Sequence, residues 1–421
     1  GTASSKFQKD DSDITYLQAQ TDKTIGSISA NQIGNINLQH SFKGKGGELT
    51  ADLDFGRYTR DYSNTLLTET ISIENPGQPD TGLLIEMPTT IDIRTAKVDY
   101  NRSVSSRWKM EAGLKTSYVA SDNDMTLSQG EAGTLVKVDT LSNHFQYTEQ
   151  VYAGYASFSG TIGEKTQVQA GLRVEHTHSV GNSLSFDQVV TRDYINFFPS
   201  LFISRPLSKN HSLTVSYSYR IDRPNYQYLN PARSYVDPYI YSRGNPFLNP
   251  QYTHSLELKH GFKEKLFTSI GASFVDDVVF YVIQPVDSIR TERTPDNFGT
   301  AQSYNLTVSF PIEVLKGWNM QVNVLGVYSQ FDYTYLDVPT TVEQISGRLN
   351  ASNTIVFGHG WTGEVTGWVS TPGVYIIHET PWLGSVDLGI QKSIGSALKA
   401  KLTLQDVFHS NKYMGKINAP S

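Results

Sequence analysis

His211-Ser212-Leu213-Thr214-Val215-Ser216-Tyr217-Ser218-Tyr219-Arg220-Ile221-Asp222 alternates without a break. Leu213, Val215, Tyr217, Tyr219 and Ile221 fall on one side of an extended backbone; Ser212, Thr214, Ser216, Ser218, Arg220 and Asp222 fall on the other. Period two predicts a strand with one apolar and one wet face. The pattern returns elsewhere. Leu49, Ala51, Leu53 and Phe55 oppose Thr50, Asp52 and Asp54; Val168, Ala170, Leu172 and Val174 oppose Gln169, Gly171, Arg173 and Glu175; Leu398, Ala400, Leu402 and Leu404 oppose Lys399, Lys401, Thr403 and Gln405. A basic group on a lipid-facing strand costs about 2–4 kcal/mol near the bilayer midplane. If the apolar rows face lipid, the charges must face a lumen.

The turns are sorted. Tight Gly/Lys/Asn/Ser turns fall at 43–47, 103–106, 160–165, 206–210, 261–265, 316–317, 358–360 and 395–396. These eight turns imply eight hairpins and about sixteen strands. Between the hairpins lie longer polar connections, expected as outer loops at 62–93, 122–144, 179–195, 223–253, 284–301, 332–343 and 370–384. Short turns on one rim and long loops on the other is the asymmetry of outer-membrane barrels. The expected fold is therefore all-β, an antiparallel transmembrane β-barrel. Residues 1–34 are expected as a lead-in and first strand, and 35–421 as the barrel segment. Tyr58, Tyr62, Tyr118, Tyr217, Tyr219, Trp318, Trp361 and Trp368, near strand ends, are expected in an aromatic girdle at the headgroup level.

Composition agrees. The chain of 421 residues is 38% hydrophobic, yet holds 24 Tyr, 19 Phe and 33 Gly; mean hydropathy is −0.35. A barrel needs only one apolar face per strand, so low hydropathy is compatible with membrane residence. No run approaches the ~20 apolar residues of a membrane helix. A net charge of −6 with 35 basic and 41 acidic residues well mixed gives no support for a nucleic-acid partner. Cysteine is absent, which removes disulfides and thiolate chemistry. The chain has no Gly-x-Ser-x-Gly elbow, His-Glu-x-x-His pair, phosphate loop or dinucleotide fingerprint. No catalytic residue, cofactor or metal ligand is assigned, and an enzyme is not expected. His176 and His178 share a strand face, but nothing nearby in sequence completes a metal site.

The densest motif runs from Arg220-Ile221-Asp222-Arg223-Pro224-Asn225-Tyr226 to Gly244-Asn245-Pro246-Phe247-Leu248-Asn249-Pro250. Its prolines and tyrosines argue for an ordered loop, and ordered loops on a rigid scaffold carry function. Arg220, Arg223, Tyr226, Tyr228, Tyr235, Tyr239 and Tyr241 are the candidate ligand contacts, by stacking and charge. The competing expectation is a self-packed rim loop whose arginines pair locally. Arg173, Glu175, Arg220 and Glu257 are expected to line the lumen.

This motif, with Leu229-Asn230-Pro231, Tyr235-x-Asp237-Pro238-Tyr239, Phe197-Phe198-Pro199-Ser200, Asp387-Leu388-Gly389-Ile390-Gln391-Lys392 and Leu402-Thr403-Leu404-Gln405-Asp406-Val407-Phe408, resembles the outer-membrane β-barrel family of TonB-dependent-receptor-like proteins. The resemblance spans residues 35 to 413. It implies a barrel of about 22 strands closed by a plug domain. It also implies import of a scarce nutrient, such as a siderophore, glycan or peptide, driven through a TonB-type energy-coupling protein. No plug and no TonB box is found before Ile14, so the chain is expected to be the barrel portion, with about sixteen strands of the larger whole. The expected location is the outer membrane, in contact with its lipid. A surface-exposed adhesion or glycan-binding β protein, and a passive porin, are the alternatives.

Overall fold

The computed structural model describes residues 2–8, 15–44, 46–72, 80–335, 338–375, 378–396, 398–412 and 416–417. Seventeen strands form one antiparallel meander in which each pairs with the next in sequence. The first five are β1 (Thr2–Gln8), β2 (Thr15–Ser41), β3 (Glu48–Ser72), β4 (Thr81–Ser103) and β5 (Trp108–Glu131). Next come β6 (Asn143–Ile162), β7 (Thr166–Ser183), β8 (Gln188–Pro206), β9 (His211–Asp222), β10 (Gln251–Phe262) and β11 (Leu266–Asp276). The last six are β12 (Thr300–Leu315), β13 (Trp318–Tyr335), β14 (Val338–Gly358), β15 (Trp361–Ser370), β16 (Leu383–Ile394) and β17 (Leu398–Leu404). A flap, Thr134–Lys137, adds to β5 as the eighteenth strand of the sheet. Among the described residues the two ends of the meander, β1 and β17, share no ladder.

All eight tight turns fall where the sequence places them, and β2 to β17 are the sixteen strands they imply. The two-residue turn Lys316-Gly317 closes with Gly317 at φ 86°, a region that a side chain disfavours. No helix among the described residues is long and apolar enough to cross a membrane.

Register fixes which face is which. Leu53 pairs with Ala96, Val98 with Leu114, Leu114 with Gly154, Val174 with Phe197, Leu258 with Ile270, and Ile270 with Leu306, so the apolar rows lie side by side around the sheet. They are exposed: Leu114 is 69% and Leu402 62% accessible. A continuous apolar band of this extent is what a lipid-facing wall requires. The opposite face is polar and cross-linked between strands. Asp54 accepts from Thr95 Oγ1 (2.8 Å) and Asn35 on the two neighbouring strands, Lys401 Nζ lies 2.8 Å from Glu364, and along β4 itself Lys97 pairs with Asp99. Charge and oil are separated as the alternation predicts.

The long-loop rim differs from expectation. Residues 62–72 and 81–93 are strand; so are most of 122–131, 179–183, 188–195, 332–335 and 338–343. Several strands therefore run on beyond the apolar band, β3 for 25 residues in all, where about 10 suffice to cross. Outside lipid the outer face no longer needs to be apolar, so alternation fades while the backbone ladder continues. That is why these stretches look like loops in sequence. The long connections that remain are 132–142, 223–250, 277–299 and 371–382; 73–79 lies outside the described residues.

Candidate functional site

The central motif is folded into the lumen. After β9 the chain turns at Pro224 and forms one helical turn, Tyr226–Leu229, capped by Asn225 Oδ1, which accepts from Tyr228 N at 3.0 Å. A hairpin follows, Arg233–Tyr235 against Ile240–Arg243. It is closed by the 2%-exposed Asp237, whose Oδ1 accepts from the amides of Tyr239 and Ile240, 2.8 Å each. Ile240–Arg243 then pairs in parallel with Thr291–Asn297, itself antiparallel to Val279–Pro285. Two outer connections are thereby joined into a four-stranded roof.

The roof packs on lumen-facing side chains of the wall. Tyr235 and Tyr241 enter a core with Leu66, Leu83, Ile85, Met125 and Leu127; Leu229 and Leu248 pack on Phe145 and Tyr147. Each such burial is worth about 1.5–3 kcal/mol. Asn230 is the polar clamp. It donates to Asn123 Oδ1 at 3.0 Å, and its own Oδ1 accepts from Asn143 Nδ2 at 3.2 Å and Ala232 N at 3.0 Å. The returning limb lies against the outgoing one: Gly244 N donates to Asn230 O (2.9 Å) and Asn245 N to Tyr228 O (2.6 Å). A Cβ on Gly244 would sit 2.2 Å from Asn230 O, so only glycine permits this approach.

Arg223 is a latch. It donates to Glu175 Oε2 at 2.6 Å, Thr177 Oγ1 at 2.8 Å and Tyr194 Oη at 3.3 Å, with Arg173 holding the other Glu175 oxygen. Burial works against its charge, but the hydrogen bonds to Glu175 win and hold the guanidinium above its usual pKa. Its partner comes from another strand pair, not from the local pairing considered above.

Between roof and wall lies a cavity of about 480 Å³. The wall supplies Tyr58, Arg60, Tyr62, Ile85, Met87, Ile91 and Met125 from β3, β4 and β5; the roof supplies Tyr226, Arg233, Arg243 and Tyr281. Among the described residues, no Asp, Glu or His lines it. Arg60 lies over Tyr62 (5.1 Å to the ring centroid) and Arg233 over Tyr241 (4.7 Å); Arg243 pairs with the buried Glu292 at 2.8 Å. Burial raises the phenols of Tyr62 and Tyr281 above their ordinary pKa, and both are neutral hydroxyl donors. The arrangement suits holding a small molecule.

Of the sequence-derived candidates, the structure places Tyr226 on this cavity. Tyr228 meets it through an edge-on contact with Tyr281 at 5.3 Å. Tyr235 and Tyr241 are roof core, Arg223 is the latch, and Tyr239 sits in the hairpin turn. Arg220 faces a separate groove on the lumen wall with Ser216, Ser218 and Glu257. Tyr58 and Tyr62, expected in a girdle, face inward: they share the even-numbered face of β3 with Asp52 and Asp54, opposite Leu53 and Phe55. Trp368 is also lumen-facing, beneath Arg348 at 4.2 Å. The signal for Tyr58-x-Arg60-x-Tyr62 was present, as period two in phase with the wet residues of the same strand.

The chain resembles solved receptor barrels in fold. It covers 97% of itself and 72% of the siderophore receptor PirA from Pseudomonas aeruginosa, at 11% identity and a TM-score of 0.55. With the copper transporter OprC the figures are 96%, 74%, 11% and 0.61. With the ferric yersiniabactin uptake receptor FyuA from Yersinia pestis they are 97%, 72%, 11% and 0.57. No curated protein matches the sequence. The family model described as "outer membrane protein beta-barrel family" matches residues 40–421. The alternating wall, its apolar outer band and this match agree: the chain belongs to the outer membrane protein beta-barrel family and is an outer-membrane protein.

Proposed function

We propose that this chain is the barrel of a TonB-dependent-type receptor and transporter that takes up a scarce small molecule through the outer membrane. The observation that carries the proposal is the roof over residues 223–250. It occupies the outer lumen and leaves a walled cavity of about 480 Å³, the size of a small-ligand site. A passive porin needs a water-filled path; an adhesin needs an outward-facing contact surface. The fold likeness to a siderophore receptor and a copper transporter supports the receptor reading. Coupling to a TonB-type protein through a plug domain, and contact with a siderophore, glycan or peptide, belong to the same proposal.

Reconstitution in liposomes tests it. The full-length protein, plug included, should give no osmotic swelling in small sugars, and cells carrying its gene should accumulate ligand only while energised. Free sugar permeability, or uptake indifferent to an uncoupler, would favour the porin.

A further inference from the structure

We infer that the cavity beneath the roof selects a ligand with an oxyanionic group, a carboxylate, sulfonate or phosphate, on a flat, largely apolar body. The inference rests on the receptor proposal and adds the chemical class. Three guanidiniums, Arg60, Arg233 and Arg243, line one cavity with no carboxylate among its described lining residues. Arg243 is balanced by Glu292 outside the lining. Arg60 and Arg233 are not. Among the described residues, Arg60 has Ser27 Oγ at 3.0 Å and the face of Tyr62, and Arg233 has the face of Tyr241; neither has an ion pair.

Stacking on a ring face orients a guanidinium without using its in-plane donors. Ser27 takes only the Nε of Arg60, so its two Nη groups and the fork of Arg233 remain for an acceptor, and a planar oxyanion is the acceptor such donor pairs match. The rest of the lining restricts the body of the ligand. Ile85, Met87, Ile91 and Met125 form an apolar floor, and Tyr58 and Tyr226 offer ring faces and hydroxyls. A fully hydrophilic anion would leave that floor unused; a neutral apolar molecule would leave the two forks without a countercharge.

Calorimetry on the purified chain in non-ionic micelles tests this with three probes: naphthalene-2-sulfonate, its neutral sulfonamide, and inorganic phosphate. The sulfonate should bind about tenfold or more tightly than either of the others. Arg60→Gln/Arg233→Gln should remove that advantage and leave sulfonamide binding as it was. Arg60→Lys, which keeps charge and loses the fork, should fall between and guards against a folding artefact. Met87→Trp, which fills the floor, should abolish both aromatic probes and so subtracts micelle partitioning. If sulfonate and sulfonamide bind equally and Met87→Trp blocks both, the anion claim is overturned and the receptor cavity stands. If no probe binds beyond the Met87→Trp background, both fall.

Discussion

Replacing Arg223 by Leu unlatches the roof without touching the wall ladder. Glu175 is 7% exposed and the Arg223 side chain 21%. Removing one partner of a fully buried pair costs about 3–5 kcal/mol. Here Arg173 stays on Glu175 and Arg223 is partly hydrated, so about 1–3 kcal/mol is the expected loss. The burial of Leu229, Leu248, Tyr235 and Tyr241 contributes roughly 6–12 kcal/mol as an upper bound. The roof should therefore loosen rather than leave. A loss of 1–3 kcal/mol raises the open population about 5- to 150-fold, at ~1.4 kcal/mol per decade. Amide hydrogen exchange reads that population directly. The reporters are Asn230, Gly244 and Asn245, whose N–H groups are bonded within the motif. Their exchange should accelerate by that factor while the β3–β5 ladder keeps its protection. Glu175→Leu added to Arg223→Leu should recover most of the loss, because the buried carboxylate is then gone too. Unchanged exchange at Gly244 and Asn245, or a double variant as fast as the single, would refute the latch.

Three further outcomes follow from the same geometry. Gly244→Ala forces Asn230 and Gly244 apart and should cost about 1–3 kcal/mol as overpacking, weakening the near-ultraviolet tyrosine signal of the roof while far-ultraviolet strand content persists; an unchanged near-ultraviolet signal would sink the close-approach account. Leu114→Lys, on the lipid band, should destabilise by about 2–4 kcal/mol in urea titrations of vesicle-embedded barrel, whereas Ser117→Lys on the lumen face should cost little; equal costs would mean the faces are misassigned. Beyond the band, His176 Nε2 and His178 Nδ1 lie 3.0 and 3.1 Å from the two oxygens of Asp193. These hydrogen bonds hold its carboxyl below the ordinary pKa. A depressed carboxylate stabilises above its unfolded pKa, and the stabilisation is lost as pH falls through the lowered value. A carboxyl carbon NMR titration should find the Asp193 midpoint rising in His176→Gln/His178→Gln, and no rise would remove the bridge.

The alternation of 211–222 and its relatives determined the strands, the eight tight turns and the two-faced wall, because period two is a local property of an extended chain. Strand ends were less legible. At 62–72 and 81–93 the ladder persists after the lipid ends, and nothing in a Thr/Ser/Tyr-rich stretch distinguishes an aqueous strand from a loop. The motif announced order through its prolines and tyrosines, yet not its use of them: Tyr235 and Tyr241 became core and Arg223 a latch. Arg223 finds Glu175 across 48 positions, and the cavity joins Arg60 of β3 to Arg233 and Tyr281 of two separate connections. Sequence spacing sets which way a side chain points from its own strand. What stands opposite it across a lumen depends on how distant segments close over one another, and that was decided by the tertiary structure alone.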